Sequence, residues 1–169
     1  MSWIIIDIES DGPIPGDYSM LSIGAVMIDD KLDKTFYSTL KPISDKYDPK
    51  RIEFHGFSRE ESLNFENPDK VMKKFVKWIN DNSQGRPIFI SDNNGFDWMF
   101  VCWYLWHFVG ENPFGHSSRN MNDLYKGLVK DTTKNFKHLR TLHTHNALDD
   151  AIGNAQVLQK LKREYGLKI

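Results

Sequence analysis

Four carboxylates fall at the predicted ends of well-separated elements: Asp7 and Glu9 in one strand, Asp97 after another, and Asp150 at the start of the last helix. The single cysteine, Cys102, excludes a cysteine-based zinc site. Carboxylate oxygens suit Mg²⁺ or Mn²⁺. Two such ions about 3.5–4 Å apart can hold a phosphodiester, activate an attacking water and stabilise the leaving oxygen. The sequence therefore predicts a site for two divalent metal ions.

The tail of the chain supplies a histidine beside one of these carboxylates. Asn146 is the expected N-cap of a helix over Ala147–Tyr165, which places Asp149 at the third helical position in capping-box geometry. Asp150 then points away from the cap, and His145 lies in the preceding loop. An imidazole titrates near neutral pH, so His145 is the expected general base that deprotonates the attacking water.

The first strand, residues 3–9, fixes the relation between two of the acids. Alternation places Asp7 and Glu9 on one face, where their repulsion calls for a cation between them. Asp7, expected at the more buried position, is assigned to bridge both ions. Glu9 and Asp150 would complete the shell of the first ion, and Asp97 would serve the second. The alternative to a metal site is a frayed strand end at which both carboxylates face water.

The remaining pattern predicts an α/β fold with a central mixed sheet of about five strands flanked by helices. A short turn makes the second and third strands an antiparallel hairpin, and Gly24 indicates close backbone approach or a bulge. The long polar segment 41–66 is the expected functional loop. The other predicted elements are strands over 20–28, 35–40, 86–91 and, faintly, 117–121, and helices starting at Asn67, Trp98 and Asp123.

Length and composition predict one domain over residues 1–169. The chain is 40% hydrophobic and 27% charged, and no apolar run reaches membrane-spanning length. The N-terminus has no signal-peptide pattern, and the lone Cys102, expected to be buried on a helix, excludes an internal disulfide. A cytoplasmic, reducing setting is expected. Net charge is −1, and setting aside the four metal-site acids raises it to +3, so charge does not decide for or against a nucleic-acid partner.

Three ordered motifs resemble those of the DEDDh 3′–5′ exonuclease family: Asp7-Ile-Glu9, Asn93-x-x-Phe96-Asp97 and His145-x4-Asp150. The resemblance spans roughly residues 3–155. It implies an RNase H-like fold, two Mg²⁺ or Mn²⁺ ions, and hydrolysis from the 3′ end of single-stranded nucleic acid, with RNA somewhat favoured over DNA. The implied products are nucleoside 5′-monophosphates, and a homodimer is an open alternative to a monomer.

The same resemblance suggests which residues contact the substrate. Ser10 stands where the family usually has threonine, and the loop after it usually contacts the terminal nucleotide. Aromatic faces can stack on any base, and His55-Gly56 is similar to a secondary feature of the family, although a satisfied surface histidine is the simpler reading of His55. The candidate substrate contacts are Ser10 through its hydroxyl, Ile14 and Met20 as apolar wedges against the last base, His55, and Phe57 and Phe96 as stacking surfaces.

Two other functions remain open from the sequence. A nucleic-acid-binding module on this fold could lack catalysis, although such modules typically lose acidic ligands and this chain keeps all four. An RNase H-like endonuclease would use similar acids without requiring a free end. The basic segment 126–140 could guide phosphates towards the site or could simply be a solvated loop.

Overall fold

The computed structural model describes residues 1–169, in which five strands form one mixed sheet of order β3-β2-β1-β4-β5. The antiparallel pairs are β1 with β2 and β2 with β3, and the parallel pairs are β1 with β4 and β4 with β5. This confirms the predicted mixed five-stranded sheet and its hairpin. The strands are β1 (Ser2–Ser10), β2 (Met20–Met27), β3 (Thr35–Thr39), β4 (Pro87–Ser91) and β5 (Ser118–Asn120).

Helices pack on both faces of the sheet. Alternate residues of β1 face opposite cores: Ile4, Ile6 and Ile8 pack with α3 and α4, whereas Ile5 packs with α5 and α6. No helix is both long enough and apolar enough to span a membrane. The helices are α1 (Pro49–Phe54), α2 (Arg59–Ser62), α3 (Pro68–Asn82), α4 (Asn94–Phe108), α5 (Met121–Val129) and α6 (Ala147–Tyr165).

Local capping signals explain most of the helix bounds. Asn67 caps α3 with Pro68 in its first turn, and Ser58 forms a capping box of α2 with Glu61. The predicted bounds of α6 are confirmed, and it ends at Gly166 in the left-handed conformation (φ 64°).

Three local predictions were wrong. Segment 41–66 contains α1, whose start has a recognisable N-cap and proline, Asp48-Pro49. Helix α4 begins at Asn94, four residues before the predicted Trp98, so Asp97 lies in its first turn rather than ahead of it. Cys102 is on α4 as expected but is partly exposed.

Candidate active site

The predicted carboxylates and the histidine line one cavity of about 250 Å³ at the carboxyl end of β1. One oxygen each of Asp7, Glu9 and Asp150 lies within 4.8 Å of the other two. Asp97 reaches the same cavity from the first turn of α4. Residues separated by more than 140 positions in the sequence therefore meet at one point.

Two glycines allow the elements to approach this closely. A side chain at Gly24 would collide with the backbone of Ala147 and Leu148, so the absent Cβ lets β2 lie against the start of α6. Gly153 of α6 leaves room for the backbone carbonyl of Leu142. This second approach brings the histidine loop down onto α6, and the close backbone approach predicted at Gly24 is confirmed.

The loop that enters α6 is held by its own hydrogen bonds. Asn146 caps the helix by accepting the N–H groups of Leu148 and Asp149, as predicted. The carboxylate of Asp149 does not complete a capping box, because it accepts the hydroxyl of Thr144 at 2.9 Å instead. The backbone N–H of Thr144 donates to Asp150 Oδ1 at 2.8 Å, so the loop also orients the proposed metal ligand.

Two histidines of this loop face the cavity. His143 Nδ1 lies 2.7 Å from Asp150 Oδ2, and the rings of His143 and His145 are 4.4 Å apart. His145 has φ of 60°, a left-handed conformation that is uncommon outside glycine and tends to occur at functional sites. The ring of Phe54 covers His145 at a centroid distance of 4.2 Å. Spacing alone identified His145, but not the contact of His143 with Asp150.

His55 is not the satisfied surface histidine of the simpler reading. Its side chain is only 10% exposed, and Nδ1 lies 2.7 Å from Glu9 Oε2. The imidazole therefore lies against one side of the Glu9 carboxylate. His55 lines the cavity beside Glu9, one of the predicted metal ligands.

Burial and mutual repulsion make the carboxylates costly to ionise. Burial raises the pKa of Asp7 well above its usual range, and Asp97, Glu9, Asp150 and Asp92 add to that rise. Burial also raises the pKa of Asp97 to about 8, with smaller contributions from Asp92 and Glu9. By surface exposure Glu9 is the more buried of the two strand acids, although burial is the largest cause of the raised pKa of Asp7. The other four carboxylates all raise the pKa of Asp7.

The donor set fits divalent cations. Asp97 Oδ2 is buried and has no hydrogen-bond partner. A buried carboxylate oxygen without a donor is unfavourable unless a cation or proton satisfies it. Together with the oxygens of Asp7, Glu9 and Asp150, it gives the all-oxygen environment that Mg²⁺ and Mn²⁺ prefer.

A fifth carboxylate, Asp92, lines the same cavity and was missed from the sequence. Its Oδ2 lies 3.6 Å from Arg140 Nη1 and 3.7 Å from Lys137 Nζ. Lys137 and Arg140 themselves line the cavity, so the basic segment does reach the site. Because Asp92 directly follows β4, its position at the carboxyl end of a parallel strand could have signalled a site residue.

The candidate substrate contacts are only partly brought together. Phe96 lines the cavity. Met20 is fully buried in the core, so it has no surface to offer a base, and that assignment is wrong. The hydroxyl of Ser10 is buried and donates to the carbonyl of Gly12 at 2.8 Å. Ile14 is 46% exposed but does not line the cavity.

The aromatic residue that reaches the site from segment 41–66 is Phe54 rather than Phe57. Phe57 packs edge-on against Phe65 at 5.1 Å and does not line the cavity. Phe54 is 59% exposed and lies over His145. The sequence could have indicated Phe54 through helix α1, because this helix places an aromatic residue in its last turn, directly before His55.

Replacing Asp97 with asparagine should stabilise the metal-free protein at pH 8. The folded carboxyl has a pKa of about 8 and the unfolded one of roughly 3.9, so folding takes up a proton between these values. Stability from this group is complete below pH 4 and declines as pH rises towards 8. We expect Asp97→Asn to raise Tm in EDTA at pH 8 by roughly 5–10 °C and much less at pH 5.

Thermal denaturation at the two pH values measures this effect. Asp33→Asn, at an exposed carboxylate, is the matched control and should leave both values within about 1 °C of wild type. Excess Mn²⁺ should stabilise wild type more than Asp97→Asn. An unchanged or lower Tm for Asp97→Asn at pH 8 would show that ionising this carboxyl does not destabilise the metal-free protein.

Comparison with known proteins identifies the family. The family model RNase_T, described as an exonuclease, matches residues 4–158. The chain belongs to this exonuclease family. It is 33% identical over 173 aligned residues to the 3′–5′ DNA exonuclease Cap18 of Escherichia coli, covering 95% of this chain and 91% of that protein. The DEDDh resemblance seen in the three motifs is thereby confirmed.

Solved structures support the same RNase H-like exonuclease fold. The zinc-bound complex of E. coli exonuclease I with single-stranded DNA superimposes with a TM-score of 0.78 at 15% identity, covering 98% of this chain and 41% of that one. The 3′-exonuclease bound to a histone mRNA stem-loop superimposes with a TM-score of 0.79 at 16% identity, covering 99% and 66%. The exonuclease-family chain thus spans only part of these larger proteins.

Proposed function

We propose that this protein is a two-metal 3′–5′ exonuclease that hydrolyses single-stranded nucleic acid and releases nucleoside 5′-monophosphates. The observation that carries the proposal is the convergence of Asp7, Glu9, Asp97 and Asp150 in one cavity together with His145. Membership of the exonuclease family and the similarity to Cap18 support the same activity.

The side chains divide the work between holding cations and moving a proton. Asp7, whose pKa every neighbouring carboxylate raises, would help to hold the divalent ions. Glu9 and Asp150 would complete one shell, and Asp97 would serve the other. Divalent ions bound here would stabilise negative charge on the attacking and leaving oxygens. His145 takes a proton from the attacking water, whose oxygen forms the new bond to phosphorus in the released 5′-monophosphate. The P–O3′ bond breaks, and O3′ takes up a proton from solvent to become the 3′-hydroxyl of the shortened strand.

DNA is the substrate that the comparisons favour. Cap18, which matches nearly the whole chain, is a DNA exonuclease. The sequence alone favoured RNA somewhat, and one structural relative was solved with an mRNA stem-loop. We therefore propose DNA as the preferred substrate and RNA as the alternative, since no residue at the site identifies a contact with a 2′-hydroxyl.

Phe54 and Phe96 are the proposed aromatic contacts for the terminal nucleotide. Both line the cavity, one from the last turn of α1 and the other from the first turn of α4. Phe54 is largely exposed above His145, so a base that stacks on it would lie beside the proton acceptor. The terminal phosphodiester would then reach the carboxylates below.

A 5′-labelled single-stranded oligonucleotide provides the direct test. In Mg²⁺ or Mn²⁺ we expect a ladder of products shortened from the 3′ end, with nucleoside 5′-monophosphates as the small product. EDTA should stop the reaction, because the four carboxylates need cations to hold a phosphodiester. Matched DNA and RNA of the same sequence, compared on denaturing gels, should show faster loss of DNA.

Closed circular single strands distinguish the rival activities. An exonuclease leaves circles intact, so their cleavage would establish an endonuclease instead. Tight binding of the linear oligonucleotide without turnover in either metal would establish a binding module. Faster hydrolysis of RNA would reverse the substrate preference while keeping the exonuclease. We further propose that residues 1–169 act as one domain, and light scattering would show whether that domain forms the homodimer.

A further inference from the structure

Two sets of metal-binding side chains meet in the acidic cavity, and they share only Asp150. One set is the oxygens of Asp7, Glu9 and Asp150, which suits hard ions such as Mg²⁺ and Mn²⁺. The other set is His143, His145 and Asp150, whose ligand atoms also lie within 4.8 Å of one another. Two imidazoles and one carboxylate suit Zn²⁺, which accepts three protein ligands and a water. The second set therefore favours a different class of ion.

A direct contact already joins two of these three groups. His143 Nδ1 lies 2.7 Å from Asp150 Oδ2, and the rings of His143 and His145 are 4.4 Å apart at an interplanar angle of 66°. Zinc bonds to nitrogen and carboxylate oxygen are about 2.0–2.2 Å long, so tetrahedral ligand atoms lie roughly 3.3–3.6 Å apart. Because the three ligand atoms start within 4.8 Å of one another, small rotations of the two imidazoles would produce this spacing.

The residue between the two histidines holds Asp150 in a suitable orientation. The backbone N–H of Thr144 donates to Oδ1 of Asp150 at 2.8 Å, whereas Oδ2 is the oxygen that meets His143. Hydrogen bonds of this outer kind orient metal ligands and strengthen metal binding. The hydroxyl of Thr144 donates to Asp149 at 2.9 Å, so the loop that carries both histidines is fixed to the first turn of α6.

These three side chains can be reached from solvent. His143 is 42% exposed, His145 is half-buried, and both line the cavity together with Asp150. An entering ion would meet the His143 imidazole first and take the place of the hydrogen that joins it to Asp150. His145, whose φ of 60° is uncommon outside glycine, brings its ring to the same place beneath Phe54. The loop thus presents both imidazoles to a cation that enters the cavity.

We propose that His143, His145 and Asp150 bind one Zn²⁺ ion and that this ion inhibits hydrolysis. An imidazole whose lone pair is held by zinc cannot take a proton from water, and an Asp150 oxygen bound to zinc is less available to Mg²⁺. The inhibition rests on the proposed exonuclease function, in which His145 is the proton acceptor, whereas zinc binding does not. His143 distinguishes this site, because it belongs neither to the four carboxylates nor to the proton acceptor assigned to hydrolysis.

Zinc binding is measured directly and without turnover. Zn²⁺ is titrated by calorimetry into the whole protein in excess Mg²⁺, which occupies sites made of carboxylates alone. We expect His143→Gln to weaken zinc binding at least tenfold, since even an outer-shell partner contributes roughly 10- to 100-fold to metal affinity. His116→Gln, at an exposed histidine outside the cavity, is the matched control and should bind zinc as wild type does. With one equivalent of Cu²⁺ as a probe, the electron paramagnetic resonance spectrum of wild type should show coupling to two nitrogens.

Inhibition is expressed within each protein as the ratio of hydrolysis rates in Mg²⁺ without and with Zn²⁺, so a general loss of activity does not obscure it. At ten times the wild-type Kd for zinc, mass action gives a ratio of about tenfold for wild type and His116→Gln, and at most about twofold for His143→Gln.

Two results would overturn the zinc site: equal zinc affinity in wild type and His143→Gln, or a Cu²⁺ spectrum of wild type without nitrogen coupling. Zinc that binds to the histidines but leaves the rate unchanged would overturn the inhibitory role. A protein that binds zinc through His143 but never hydrolyses an oligonucleotide would refute the exonuclease function alone, and one that hydrolyses without binding zinc would refute only this site.

Discussion

Asp7→Asn is expected to lower kcat/KM on a single-stranded oligonucleotide by roughly 10³-fold or more, because the two proposed ions would contribute several kcal/mol of charge stabilisation in the transition state. Asp7 lies in the same cavity as the other carboxylates, within 4.8 Å of Glu9 and Asp150 oxygens. Asparagine preserves the shape of the side chain but removes the charge needed to share two cations. Initial rates in Mg²⁺ and Mn²⁺ measure the loss.

The same substitution should make the metal-free protein more stable. Burial and four carboxylates raise the pKa of Asp7, so ionising it near neutral pH costs folding free energy that asparagine does not cost. A higher Tm together with lost activity would separate a missing ligand from misfolding. Asp149→Asn, next to Asp150 but outside the cavity, is the control and should retain activity within tenfold. Substantial activity in Asp7→Asn would refute the two-metal assignment.

His145→Gln is expected to reduce kcat by roughly 10²- to 10⁴-fold, the usual contribution of a general base. Glutamine retains hydrogen-bonding capacity but cannot take up the proton of the attacking water. Metal binding should survive, because the carboxylates supply the ligands. Mn²⁺-induced stabilisation, measured by thermal denaturation, should therefore resemble that of wild type while hydrolysis is lost.

His143→Gln is the matched comparison, since both imidazoles face Asp150 in one loop. His143 Nδ1 contacts Asp150 Oδ2 at 2.7 Å, which suits it to orient that carboxylate, whereas His145 lies beneath the exposed ring of Phe54. We expect a loss at least tenfold smaller than that for His145→Gln. A larger loss for His143→Gln would transfer the proton-accepting role to His143.

Local signals made much of the fold predictable. Side-chain alternation in β1 placed Asp7 and Glu9 on one face, and the cap at Asn146 gave the correct bounds of α6. These features depend on residues within one or two turns of each other. Helix α4 was placed too late because Asn94 and Gly95 read as turn residues. Helix α1 was missed because its short, polar sequence has too little apolar periodicity.

The identities of the groups around the acidic cavity required the folded structure. Nothing near His55 in the sequence indicates Glu9, which lies 46 positions earlier and 2.7 Å away in space. Phe57 and Met20 were reasonable aromatic or apolar candidates by type, but one packs on Phe65 and the other lies in the core. A residue's type states what it can bind, whereas only its neighbours decide whether a ligand can reach it.

The sequence by itself determined the residue types of the candidate site: four carboxylates and His145, in three ordered motifs, predict a divalent-metal phosphodiester site. The tertiary structure decided how that chemistry is surrounded, by bringing Phe54, His55 and Asp92 to the acidic cavity. The physical reason is how far apart in the sequence the residues lie that determine each feature. Motif spacing follows from local backbone geometry, but a cavity forms only where distant segments pack, here through the close approaches at Gly24 and Gly153.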